Sequence, residues 1–198
     1  MKLISPFLLA LSLAACVLTG CQSPPANPPA RNSLSTRNNG CSLLHQLLDE
    51  QKDVSLLRFI KSEPADVKQL VNRIATTSGT GAKLLEKLAA DDPSLRLDDL
   101  RLPPGELATR AAIAAAKQKE LLSQTGDTFE LTLLLTQTEA LSYAWHLAKV
   151  TSESEPQPDH ARALAGISED MQNLYHEVFA LLLAKTKSSA TNSVPPQP

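Results

Sequence analysis

The spacing of its aliphatic side chains constrains this chain more than any other feature. Leu164, Ile167, Met171, Leu174, Tyr175, Val178, Leu181 and Leu182 recur every three or four residues, the interval that lines up side chains on one face of a helix with about 3.6 residues per turn. Nothing in the chain alternates with period two for long enough to make a strand. Composition agrees, because aromatics make up only 4% of the residues while leucine and alanine recur throughout, and sheets favour Val, Ile, Thr and aromatic side chains. The expected fold class is therefore all-α: a four-helix bundle with an additional crossover helix.

The helices can be placed one by one. Ser42 is positioned to cap a first helix whose apolar face is Leu43, Leu44, Leu47, Leu48, Val54, Leu57 and Ile60. Ser62-Glu63-Pro64 breaks it, since proline fits only the first turn of a helix. Val67, Leu70, Val71 and Ile74 open the second helix. Gly79 and Gly81 look like a loop, yet the eleven residues from Ile74 to Leu85 turn through about 100° each and return to nearly the same face. One helix, kinked at most near those glycines, is expected to run to about Ala90. Asp91 to Pro104 is a connector whose leucines at 95, 97, 100 and 102 should lie against the bundle. An alanine-rich third helix spans about Gly105 to Gln124, and Asp127-Thr128-Phe129-Glu130 has the pattern of a capping box opening a fourth helix to about Thr151. Glu153 to Pro158 is a polar loop before the last helix.

The ends differ from this body. Lys2 followed by the apolar stretch Leu3 to Leu18 and the small pair Thr19-Gly20 has the tripartite plan of a secretory signal peptide over residues 1–20. Pro6 and a length short of roughly 20 residues make it a poor membrane span. Residues 21–41, with Pro24-Pro25, Pro28-Pro29 and a run of Ser, Asn, Arg and Thr, read as a tether. Residues 42–186 form the bundle domain, and 187–198, ending Pro-Pro-Gln-Pro, read as a disordered tail. Removing Lys2 with the signal leaves 18 of the 19 basic residues against 21 acidic ones, a balance with no electrostatic attraction for nucleic acid.

Leu18-Thr19-Gly20-Cys21 resembles the lipobox of bacterial lipoproteins, in which the cysteine is acylated and becomes the first residue of the mature chain. Leu13-Ala14-Ala15-Cys16 fits the same pattern, but using Cys16 would shorten the apolar region and leave Val17-Leu18 on the mature chain, so Cys21 is the expected lipidation site. The resemblance implies an exported protein whose membrane partner is the bilayer, reached through acylated Cys21. Gln22 follows where an Asp resembles an inner-membrane retention signal; in a Gram-negative cell the address is then the outer membrane, facing the periplasm. With Cys16 and Cys21 so used, Cys41 is the one free thiol and has no partner for a disulfide within the chain.

The order of segments, with Gly126-Asp127-Thr128-Phe129-Glu130 opening the helix after the crossover, also resembles a ferritin-like four-helix domain of unknown function in exported bacterial proteins. Those relatives carry a histidine midway along the second and third bundle helices. Near Ser78 and Thr138 this chain has none, so no functional residue is carried over.

Chemistry-bearing residues are few. Glu139, Tyr143 and His146 fall at i, i+4 and i+7, and with His176-Glu177 on the last helix they are the candidates for a metal site. The Glu-x-x-His pair of carboxylate-bridged dimetal bundles is absent, since Ser142 follows Glu139 by three and Asn173 precedes His176 by three. His45 with Asp49, one turn apart, and Asp159-His160 read as a surface pair and a helix start. No nucleophile elbow, P-loop, Cys-x-x-Cys or H-E-x-x-H occurs, so no catalytic residue and no cofactor is expected. Trp145 with Tyr143 could anchor a partner. The reading is a lipid-anchored, non-catalytic helical module that contacts another component of the bacterial envelope. The alternative is a ferritin-like bundle binding a metal or small ligand through Glu139, His146 and His176.

Overall fold

The computed structural model describes residues 30–55, 64–98 and 100–192. Five helices account for nearly all of them: α1 Ala30–Lys52, α2 Ala65–Asp91, α3 Pro104–Ser123, α4 Gly126–Glu153 and α5 Pro158–Asn192. Among the described residues there is no strand, and the all-α bundle with its crossover helix is the observed fold. The most extensive pairing is α4 with α5, followed by α1 with α2, α1 with α4 and α2 with α5. Every neighbouring pair in this ring runs antiparallel: Arg37 of α1 meets Asp92 beyond the end of α2, Gly40 of α1 meets Thr151 near the end of α4, and Asp66 near the start of α2 meets Lys185 of α5. Two consecutive helices therefore lie beside each other, the chain crosses back along α3, and α4 and α5 complete the ring.

The expected faces are the buried ones. Val67, Leu70, Val71, Ile74, Leu85 and Leu88 of α2 and Leu164, Ile167, Met171, Leu174 and Val178 of α5 are in the core. The phase argument across Gly79 and Gly81 holds, because α2 is one helix with Gly81 buried in it. A Cβ at Gly81 would stand 3.0 Å from Leu48 Cδ1, and one at Gly40 would stand 2.5 Å from Thr151 Oγ1. Glycine at these two positions lets α1 approach α2 and α4 more closely than any side chain would allow. From the connector, Leu95 is buried and Leu97 packs against the core.

The expected boundaries need four corrections. The tether assigned to residues 21–41 is helical from Ala30 onward, and Ser42 does not cap α1 but lies inside it, donating its hydroxyl to the Arg96 carbonyl at 2.9 Å. The cause is electrostatic: Arg37 is buried among carboxylates, an inward-facing position that aliphatic periodicity cannot register. At its other end α1 stops at Lys52, and Val54, although beyond that end, is buried in the core as its place on the expected face requires; residues 57 and 60 of that face lie outside the described residues. The tail assigned from Lys187 begins inside a helix, for α5 continues to Asn192. The capping box is not made, since α4 starts at Gly126 without a side-chain cap, and Glu130 is buried beside Lys185 at 3.2 Å instead. Gly126 takes φ 58°, the left-handed turn that lets α4 start so soon after α3.

α3 differs in kind. Of its twenty residues only Leu121 is buried, and it lies outside the ring over the groove between α1 and α4. Alanines at 108, 111, 112, 114, 115 and 116 make a good helix but offer little side chain with which to pack.

Candidate functional site

Three places in the fold gather functional groups, and the first is a buried ion network at one end of the bundle. Arg37 is 1% exposed; its Nε donates to Glu155 Oε2 at 2.6 Å, Nη1 donates to the Ser94 hydroxyl at 3.1 Å, and Nη2 is bonded to Asp92. Asp92 also accepts the Ser94 hydroxyl at 2.7 Å and the Gln157 amide at 2.8 Å. The Ser94 hydroxyl and then the Arg37 guanidinium hold the Asp92 carboxyl down to about 2. One turn after Arg37, burial and the charge of Glu155 push the Cys41 thiol up to about 12. Cys41 is wholly buried, so it stays a protonated, unreactive core residue with no route to an intermolecular disulfide while the chain is folded. This network ties α1 to the α2 exit and the α4–α5 loop, which is a structural task.

The second place is the outer face where α4 meets α5. Trp145 sits 4.3 Å from the His146 ring, 5.9 Å from Tyr175 and 6.1 Å from His176, measured between ring centres. Tyr175 stacks on Phe179, one turn along α5, at 6.0 Å with the planes 6° apart. Leu183 continues the line another turn, and it and Phe179 are 45% and 41% exposed. The chain has one Trp and two Tyr in all, so this single face takes the Trp and half the Tyr. Nearby, the Ser168 hydroxyl donates to the Trp145 carbonyl at 3.2 Å, tying the two helices together under the rings.

The candidate metal ligands do not assemble as a set. Glu139 turns toward α3 and forms an ion pair with Lys117, and Tyr143 also faces α3, its hydroxyl bonded to Arg110 at 2.8 Å. His146 turns the other way, donating Nδ1–H to its own helix's Ser142 carbonyl at 2.8 Å, beside Trp145. The spacing i, i+4, i+7 put these three on one broad stripe, but α3 and α5 draw its two edges apart. His176 does reach the same aromatic face as His146, while Glu177 is bound bidentately by Arg73 of α2, at 2.8 Å for one of the two contacts. Among the described residues no group of three or more His, Cys, Asp and Glu side chains is placed to hold a metal. Mid-bundle, buried Ser78 and Gln137 each leave a side-chain oxygen without a partner among the described residues, and neither is a preferred ligand for a transition metal. His45 pairs with Glu86 of α2 at 3.1 Å and not with Asp49, which takes Lys52. Asp159 pairs with Arg162, and His160 is buried.

The sequence pointed to Trp145 but gave it the wrong companion. Tyr143 is two residues away and points to another face, whereas Tyr175, Phe179 and His176 come from α5. The signal for them was the half-apolar flank of the α5 stripe, where Tyr175 borders the core positions. The third place, a cleft beneath α3, had no sequence signal beyond the alanine run. Cys21 lies outside the described residues. Among the described helices none is long and apolar enough to cross a membrane.

Compared with protein-family models, with curated proteins and with solved structures, the chain matches none.

Proposed function

We propose that this chain is a lipid-anchored interaction module of the bacterial envelope, held to the bilayer by acylated Cys21 and working by contact, without catalysis. In a Gram-negative cell it would sit on the periplasmic side of the outer membrane. The observation that carries the contact role is the aromatic face in which half-buried Trp145 and Tyr175 lead out to exposed Phe179. Rings of this kind bury large areas at little entropic cost and dominate the energetics of protein interfaces. The imidazoles of His146 on α4 and His176 on α5 flank the rings, and the exposed Leu183 extends the face along α5. The favoured partner is a protein presenting an apolar pocket to these rings.

The reading is tested in cells with a photo-crosslinking amino acid at position 179, in the full chain and in a Cys21→Ser form. A discrete crosslinked band that disappears with Trp145→Ala, together with a loss of the chain from the membrane fraction in Cys21→Ser, is the expected result. Crosslinking no different from that at the exposed surface of α3 would overturn the contact role. Unchanged membrane association of the Cys21→Ser form would overturn the anchor.

A further inference from the structure

The space beneath α3 is built differently from the rest of the protein. Two adjoining clefts of about 420 Å³ and about 670 Å³ lie between α3 and the α1–α4 groove, each within the size range of small-molecule sites. They share Leu47, Glu50, Arg110 and Ala114, so they form one trough along the helix. Its apolar walls come from Leu43, Leu47 and Leu102 on one side and Leu107, Ile113 and Leu121 of α3 on the other. From Arg110 to Leu121 the trough follows α3 for about 16 Å at 1.5 Å per residue. That length and its apolar lining suit a single extended chain.

Cations and acceptors both line the trough, Lys117 sharing the larger cleft with Glu50, Gln51 and Asp53. The cations of α3 are already engaged: Arg110 donates to Glu106 at 2.7 Å and to the Tyr143 hydroxyl at 2.8 Å, and Lys117 is paired with Glu139. Acceptors collect near the end of α1, where Glu50, Gln51 and Asp53 all line the larger cleft. The Gln51 side-chain oxygen is buried with no donor among the described residues, a costly state for a polar atom unless something supplies a hydrogen. The C-terminal carbonyls of α1 add partial negative charge at the same end.

We infer that the trough beneath α3 binds a single-chain amphiphile whose head group donates hydrogen bonds, a long-chain alcohol or alkylammonium. The chain lies along the leucines and the head meets Gln51, Glu50 and Asp53. A carboxylate head is disfavoured at that end, since it offers no hydrogen to Gln51 and faces two acidic side chains. α3 serves as the cover: its clips to the bundle are the Arg110–Tyr143 contact, the Lys117–Glu139 pair and the one buried side chain, Leu121.

The test uses the full chain in phospholipid nanodiscs, with the methyl resonances of Leu47, Ala114 and Leu121 as local reporters. Decylamine and decanol should shift these methyls saturably, and decanoate should bind at least about tenfold more weakly. Ala114→Trp, which puts an indole into both clefts, should abolish the shifts of the remaining Leu47 and Leu121 methyls in a protein whose helical circular dichroism is unchanged. Gln51→Leu should weaken decylamine about tenfold while leaving decane unaffected, and it serves if the tryptophan variant fails to fold. Equal binding of decanoate and decylamine, shifts spread over the whole protein without saturation, or an undiminished response in both variants would each overturn the assignment.

Discussion

The ring of α1, α2, α4 and α5 and the crossover helix α3 are both rich in apolar residues, yet the ring buries most of its own and α3 buries only Leu121. α2 and α5 present leucine, isoleucine, valine and methionine at three-four spacing, and nearly every such side chain is in the core. α3 presents alanine at the same positions, and Leu107, Ile113 and Leu122 are 41%, 50% and 41% exposed. The difference teaches that an apolar count predicts a helix but not its attachment. Burying a leucine contributes about 1.5–3 kcal/mol and each methylene about 0.8, so a face of alanines can settle on a neighbour without being held by it. Polar clips do the holding, and space remains beneath.

The largest effect should come from the ring's own polar exception. Arg37→Met leaves Glu155, whose side chain is 0% exposed, without its cation, and breaking a buried pair from one side costs about 3–5 kcal/mol. Denaturant unfolding of the two proteins at neutral pH measures it. Acid should reach the same network through Asp92. Its depressed value means that its contribution is complete above the ordinary carboxyl range near 3.9 and is lost as pH falls toward about 2. The parent should therefore lose stability across that window, and Arg37→Met should lose less. A cost below about 1 kcal/mol would mean that the network is peripheral, like α3.

Next in size is a truncation in the ring. Leu48 is fully buried against Gly81, and Leu48→Ala should cost about 2–5 kcal/mol by thermal or denaturant unfolding. The close approach at Gly81 leaves the backbones little room to collapse into the vacated volume, which favours the upper half of that range. A small cost would show that the bundle tolerates voids here as it does beneath α3.

How much of this was legible follows the same division. The faces of α2 and α5 were readable because large aliphatic side chains keep phase with the helix, even across Gly79 and Gly81. The start of α1 was not, because Arg37 faces inward and its partners Asp92 and Glu155 are 55 and 118 residues away. Spacing places residues on a helix but does not say which neighbour each edge meets, so Glu139 and His146 were grouped although one faces Lys117 and the other Trp145. Capping patterns fail in the same way: Glu130 fits the box, but Lys185 and burial offer it a better partner. The cleft beneath α3 is a matter of missing volume, which no single residue announces.

The smallest expected effect is the one that most sharpens the contrast. Leu107→Ala removes a side chain from α3 that is already 41% exposed, and surface changes away from caps and networks fall within about 0.5 kcal/mol. Amide hydrogen exchange gives the same comparison without a mutation. α3 amides should open with a lower free energy than those around Leu141 in α4, because local stability follows buried apolar contact. Should Leu107→Ala cost more than about 1.5 kcal/mol, or α3 exchange only through global unfolding, the alanine face would have to be integrated with the ring and the clips alone could not account for it. Should α3 exchange early and then be protected by decylamine, the loose attachment would be the means by which the trough admits its ligand.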